Sequence, residues 1–82
     1  MANKAYYRKM IVDKRAQIAN EREAKKRDNE NYARMIKSAT SPSGKASYRK
    51  SKIDRAAAHD RRIESLKLEI ARLQVEVARA PK

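Results

Sequence analysis

Few residue types in this chain are suited to catalysis or metal binding. His59 is the only histidine and cysteine is absent, so the chain lacks the paired imidazole or thiolate ligands of a zinc site. A single glycine, Gly44, is too few for a glycine-rich phosphate-binding loop. The ten Asp and Glu residues are scattered among 22 Lys and Arg residues, a pattern that indicates ion pairing. We therefore predict a non-enzymatic protein with no catalytic, cofactor-binding or metal-binding residue and no small-molecule substrate.

The spacing around His59 indicates a role in helix packing. His59 belongs to a line of positions separated alternately by three and four residues, which is the heptad seam of a coiled coil. This second-helix seam consists of Ala56, His59, Ile63, Leu66, Ile70, Leu73, Val77 and Ala80. A helix with such a seam needs another helix to cover it. We expect a histidine that packs against that helix or one that responds to pH, and not a catalytic base.

The remainder of the chain can supply the covering helix. Asn3 is a suitable N-cap, and Ser41-Pro42 is either the N-cap and first turn of a second helix or simply a turn. The predicted elements are a helix over about 4–38, a turn over 39–45 and a helix over about 46–79. We predict an all-α protein with one domain over 1–82, in which two long antiparallel helices form a coiled-coil-like hairpin. A partner or self-association would complete it.

Folding the chain about a centre near residue 42.5 brings its apolar and charged residues into a consistent alignment. The predicted apolar pairs are Tyr7–Val77, Ile11–Leu73, Ile18–Leu66 and Tyr32–Ile53. The predicted ion pairs are Glu23–Arg62 and Glu30–Arg55, with Glu21 and Asp28 nearby. Cross-helix ion pairs contribute little energy each, but they fix register and orientation.

A net charge of +12 is large for 82 residues and favours an anionic partner, such as nucleic acid, a membrane surface or an acidic protein face. The alternative is a solvated basic surface with no such partner. The apolar runs are too short for a transmembrane helix or a cleavable signal peptide. We expect a cytoplasmic protein, or one exported by a route independent of a signal peptide.

Apolar residues outside the seam indicate a surface for a partner protein. Leu68 and Val75 are seven residues apart, and Val12 lies on a similar line of the first helix. A helix that is apolar on more than one side packs against more than one neighbour; the alternative is a wide hairpin interface with scattered surface apolar residues. We predict a helical partner protein, in a heterodimer or a dimer of hairpins. The predicted partner-binding residues are Leu68, Val75, Val12, Arg72 and Arg15.

Basic residues offer a second interpretation, in which the protein binds nucleic acid. Basic and aromatic side chains follow one helical face of the second helix, where they could track phosphates and stack on a base. The predicted phosphate-contacting residues are Tyr48, Lys52, Arg55 and Arg62. On the first helix, Arg8, Arg15 and Arg22 repeat every seven residues.

A helical hairpin of fewer than 100 residues with a small-residue turn at its midpoint, Ser41-Pro42-Ser43-Gly44, resembles in architecture the WXG-type partner proteins of type VII secretion and the helical accessory proteins of LXG toxins. The glycine is kept, whereas the tryptophan of the Trp-x-Gly turn is replaced. The resemblance implies a helical hairpin that pairs with the helices of a secreted partner, as its adaptor or chaperone. Small phage-encoded inhibitors of host proteins have a similar composition.

Overall fold

A computed structural model describes residues 3–81 and consists of two long helices. Helix α1 spans Lys4–Ser38 and helix α2 spans Pro42–Arg79. They pack side by side into a rod of 62 × 14 × 13 Å, and no strand occurs in the described residues. This arrangement confirms the predicted all-α helical hairpin. No helix within residues 3–81 is long and apolar enough to cross a membrane.

Side-chain caps determine where both helices begin. The Asn3 side chain accepts a hydrogen bond from the Tyr6 N–H at 3.0 Å, and Ser41 Oγ accepts one from the Gly44 N–H at 3.0 Å. Pro42 occupies the first turn of α2, where its missing N–H costs nothing. A Cβ on Gly44 would lie 2.9 Å from Ser41 Oγ, so glycine leaves room for the cap.

The connection between the helices is therefore shorter than predicted. Only residues 39–41 separate Ser38 from Pro42, whereas the expected turn covered 39–45. The N-cap interpretation of Ser41 and Pro42 is the one that the structure shows.

A small apolar core lies in the half of the hairpin that is distant from the turn. The buried residues are Ile11, Ile18, Ile63 and Ile70, with Leu66, Leu73 and Val77 packed against them. The α2 seam residues from position 63 to position 77 all face this core, as their three- and four-residue spacing predicts. The aliphatic part of the seam is thus the main source of hydrophobic stabilisation.

Two of the ion pairs between the helices lie two residues from the predicted ones. Arg62 Nη1 lies 2.5 Å from Glu21 Oε1, and Arg55 Nη1 lies 4.0 Å from Asp28 Oδ2. The predicted partners of these arginines were each two residues further along α1, so those two pairings are wrong.

The direction of the α1 side chains explains this difference. Glu21 follows Ile18 by three residues and Asp28 follows Glu21 by seven, so both carboxylates continue the α1 line that faces α2. Glu23 and Glu30 lie two residues further on, about 200° around the helix, and they are exposed. The predicted Tyr32–Ile53 contact is also wrong, because Ile53 is 68% exposed.

Candidate functional site

His59 is the one buried polar residue among residues 3–81. It is 5% exposed and occupies the seam position of α2 between Ala56 and Ile63. The α1 segment opposite it carries no large aliphatic residue, so the ring faces polar side chains instead of the core. The seam position of His59 is as predicted from the spacing.

Both nitrogens of the His59 ring contact carboxylates of α1. The ring Nδ1 lies 2.5 Å from Glu21 Oε1, and the ring Nε2 lies 2.6 Å from Asp28 Oδ2. Glu21 and Asp28 are two helical turns apart, about 10 Å along α1, so the ring fits between them. A neutral imidazole has a single N–H, whereas two ionised carboxylates need two donors. With both carboxylates ionised, this geometry favours the imidazolium form of His59.

Two arginines of α2 contact the same carboxylates. Arg62 Nη1 donates to Glu21 Oε1 at 2.5 Å, and Arg55 lies 4.0 Å from Asp28. Together, Glu21, Asp28, Arg55, His59 and Arg62 form what we call the His59 cluster. It places two negative and three positive charges across the helix interface.

The charges of the His59 cluster shift its titration. Hydrogen bonds to Asp28 and then to Glu21 raise the pKa of His59 above its ordinary 6.5, although burial opposes this. The hydrogen bond from His59 lowers the pKa of Glu21, with a further contribution from Arg62. The pKa of Asp28 is lowered by the hydrogen bond from His59 and by the charge of Arg55.

This arrangement is suited to structural charge pairing. Both ring nitrogens of His59 are engaged by carboxylates across the helix interface. Outside the cluster, Lys25 Nζ pairs with Asp60 Oδ1 at 2.8 Å, and Lys14 Nζ pairs with Glu69 Oε2 at 2.9 Å without hydrogen-bond geometry. Residues 3–81 contain no group of acids and histidine arranged to hold a metal ion.

The residues predicted to bind a partner protein divide between two surfaces. Leu68 and Val75 are 55% and 48% exposed. Each lies two residues from the seam positions on either side, which places it on the back of α2, away from α1. Val12, by contrast, is 61% exposed and lines a groove between the helices together with Arg15. Arg72 is exposed on α2.

The residues predicted to contact phosphates are partly engaged within the chain. Arg55 and Arg62 are exposed, but both interact with carboxylates of the His59 cluster. Tyr48 and Lys52 are half-buried nearer the turn. Arg8, Arg15 and Arg22 are exposed along α1.

Two grooves along one edge of the hairpin were not found from the sequence. The first groove, of about 370 Å³, is lined by Arg8, Ile11, Val12, Arg15, Gln74 and Val77. The second groove, of about 390 Å³, is lined by Asn29, Ile36, Arg49, Lys52, Ile53 and Ala56. The predicted Tyr32–Ile53 pair assigned Ile53 to the interface, so its exposure was missed. In the sequence, this edge is marked by a seven-residue interval on α1, which relates positions 8, 15, 22, 29 and 36.

No protein-family model, curated protein or solved structure matches this chain. The geometry of the hairpin is therefore the basis for a functional proposal.

Proposed function

We propose that this protein is a small basic, non-enzymatic adaptor that binds a partner protein by helix–helix packing. The observation that supports this proposal is the balance of apolar side chains in a hairpin that is 62 Å long. Among residues 3–81, four large apolar residues are buried, whereas six remain at least one-third exposed. The exposed ones are Tyr6, Val12, Met35, Ile53, Leu68 and Val75. A further helix packed on the hairpin would cover several of them at once.

A tagged copy purified from the host of this protein tests the adaptor function. We expect a protein to co-purify in a stoichiometric amount and to remain bound after nuclease treatment and at about 500 mM salt, since apolar packing is insensitive to screening. Analytical ultracentrifugation of the complex gives the stoichiometry. If the purified chain sediments alone, or if everything bound to it is lost with nuclease, the proposal is wrong.

Nucleic-acid binding is a second candidate function, favoured by the net charge of +12 and by the exposed Arg8, Arg15 and Arg22. A protein that neutralises phosphates loses affinity steeply with salt, and the log–log slope approximates the number of phosphates contacted. An oligonucleotide titration between about 50 and 200 mM salt measures this slope. A flat response, or no binding at about 50 mM salt, eliminates this candidate.

The biological setting proposed for the adaptor is partnership with a secreted helical protein, as a targeting partner or chaperone. The long hairpin with its short connection over residues 39–41 supports it, because this architecture resembles that of the WXG-type and LXG-accessory proteins. Deleting the gene for this protein should reduce export or intracellular stability of the co-purified partner. Unchanged levels of that partner in both compartments would contradict this setting.

A further inference from the structure

The two grooves on one edge of the hairpin have the same chemical character. The floor of the first groove is formed by Ile11, Val12 and Val77, and Arg8 and Arg15 lie beside it. The second groove has an apolar floor of Ile36, Ile53 and Ala56, flanked by Arg49 and Lys52. Neither set of lining residues contains an acid. The apolar floors suit aliphatic side chains, and the flanking cations suit carboxylates.

The most exposed large apolar side chains of the described residues belong to these grooves. Ile53 is 68% exposed in the second groove, and Val12 is 61% exposed in the first. Leu68 and Val75 on the back of α2 are less exposed and line neither groove. The edge with the grooves therefore carries the two large apolar side chains with the highest exposed fraction among residues 3–81.

The charges along this edge favour an acidic occupant. Between the grooves, the seven-residue interval continues through Arg22 on α1 and Lys67 on α2, and both are exposed. Asp60 falls on the same line of α2, but Lys25 Nζ already contacts its Oδ1 at 2.8 Å. A second copy of this chain would bring another net charge of +12 against the edge, which is repulsive.

The distance between the grooves fits one long helix. Val12 and Ile36 mark the two grooves on α1 and are 24 residues apart. At about 1.5 Å per residue they are about 36 Å apart, which a helix of about 25 residues spans. Two antiparallel helices form a continuous groove between them, and a third helix lying in it completes a three-helix bundle.

We propose that this edge binds a single acidic amphipathic helix of a partner protein. Aliphatic residues of that helix occupy both grooves, and its carboxylates pair with Arg8, Arg15, Arg49 and Lys52. This inference rests on the proposed adaptor function and specifies the surface and the partner chemistry.

A synthetic helix of about 28 residues provides the probe, because that length reaches both grooves. It carries leucine and isoleucine at the seam positions of four heptads and glutamate at the flanking positions, with a fluorescent label. A matched peptide has lysine in place of every glutamate. A single-stranded oligonucleotide of the same negative charge represents nucleic acid. Anisotropy titrations at nanomolar probe keep the peptides monomeric, and circular dichroism verifies that each protein variant retains its helices.

We expect the acidic peptide to bind the wild-type hairpin and the basic peptide not to bind. The variant Val12→Asp with Ile53→Asp should weaken binding by about tenfold or more. The matched control, Leu68→Asp with Val75→Asp, adds the same charge on the back of α2 and should change affinity by less than about twofold. Arg8→Glu with Arg15→Glu leaves the apolar floor intact and should also weaken binding by about tenfold.

Equal weakening by the edge variant and the control overturns the proposal, as does binding of the oligonucleotide as tight as that of the acidic peptide. If the acidic peptide binds but only Leu68→Asp with Val75→Asp weakens it, the adaptor function stands and the edge is wrong. If neither peptide binds and no protein co-purifies from the host, both proposals are wrong.

Discussion

The aliphatic core and the His59 cluster occupy the same seam with opposite chemistry. In the half distant from the turn, Ile63 and Ile70 are buried against isoleucines of α1. One heptad before Leu66, the same seam position is His59, buried between two carboxylates. The heptad spacing therefore determines which α2 residues face α1. The chemistry of each side chain determines whether that contact contributes mainly to stability or to alignment.

The two regions contribute differently to stability and specificity. Aliphatic burial is non-directional, and an isoleucine seam that repeats every seven residues tolerates a shift of one heptad. The His59 cluster is satisfied in one alignment only, because each ring nitrogen needs its own carboxylate. Ion pairs of this kind stabilise little, yet they select register. We infer that the core supplies most of the unfolding free energy and the His59 cluster supplies the alignment.

Truncation of a core side chain should give the largest loss of unfolding free energy. Ile70→Ala removes buried methylene groups and leaves a cavity, so we expect the unfolding free energy to fall by about 2–5 kcal/mol. Urea titration followed by circular dichroism measures this. Leu68→Ala, two residues away on the exposed back of α2, is the control and should change stability by less than about 0.5 kcal/mol. Equal losses of unfolding free energy in the two variants would contradict the position of the core in the structure.

Replacing His59 should have a smaller effect. His59→Gln keeps a similar size but removes the positive charge and one of the two ring donors, so we expect a loss of about 1–2 kcal/mol. The same urea titration applies. A loss larger than that of Ile70→Ala would reverse the assignment of stability to the core.

The pH dependence of stability separates the regions further. Because the folded pKa of His59 is raised above 6.5, its stabilisation is complete below that pH and is lost as pH rises through the folded value. The lowered pKa values of Glu21 and Asp28 act in the opposite sense, with stabilisation present above about 4.5 and lost on acidification.

Thermal melts from about pH 5 to pH 9 measure this effect. The melting temperature of the wild-type protein should fall towards the alkaline end of this range, whereas that of His59→Gln should not change there. Ile70→Ala should keep the wild-type pH profile at lower stability, since it leaves the cluster intact. Nuclear magnetic resonance titration of the His59 ring should give a pKa above 6.5. A value at or below 6.5 would contradict the imidazolium assignment.

The smallest effect should distinguish two neighbouring glutamates. Glu21→Gln removes one carboxylate from His59 and should lower its pKa towards 6.5, whereas Glu23→Gln should leave that pKa unchanged because Glu23 is exposed outside the cluster. The ring titration of His59 in both variants provides the measurement. The reverse result would restore the register in which Glu23 pairs with Arg62.

Much of the fold could be predicted from the sequence, because spacing and breaks are local signals. The intervals from Ile63 to Val77 identified the seam, and Ser41-Pro42 located the break. Two predicted ion pairs were displaced by two residues, because the prediction paired residues by number about a centre near 42.5 and left out the direction of the α1 side chains.

The site was less predictable than the fold. His59 could be placed at the seam, but its partners depend on register, so a displacement of two residues exchanges Glu21 for Glu23. The seam, continued back from Ala56 by four residues, passes through the half-buried Lys52, so Ile53 lies off it and is exposed; the pairing by residue number left this spacing out.

The position of the core far from the turn determines how this chain must fold. The contacts of the His59 cluster between the helices join residues 27 to 41 apart in sequence. The nearest isoleucines across the core, Ile18 and Ile63, are 45 residues apart. Closing a loop of that length costs about 2 kcal/mol more than closing one of four residues. Most of the stabilising contacts therefore form only after the chain has lost the conformational entropy of the closed loop. We expect slower folding than for helical hairpins whose apolar contacts lie beside the turn.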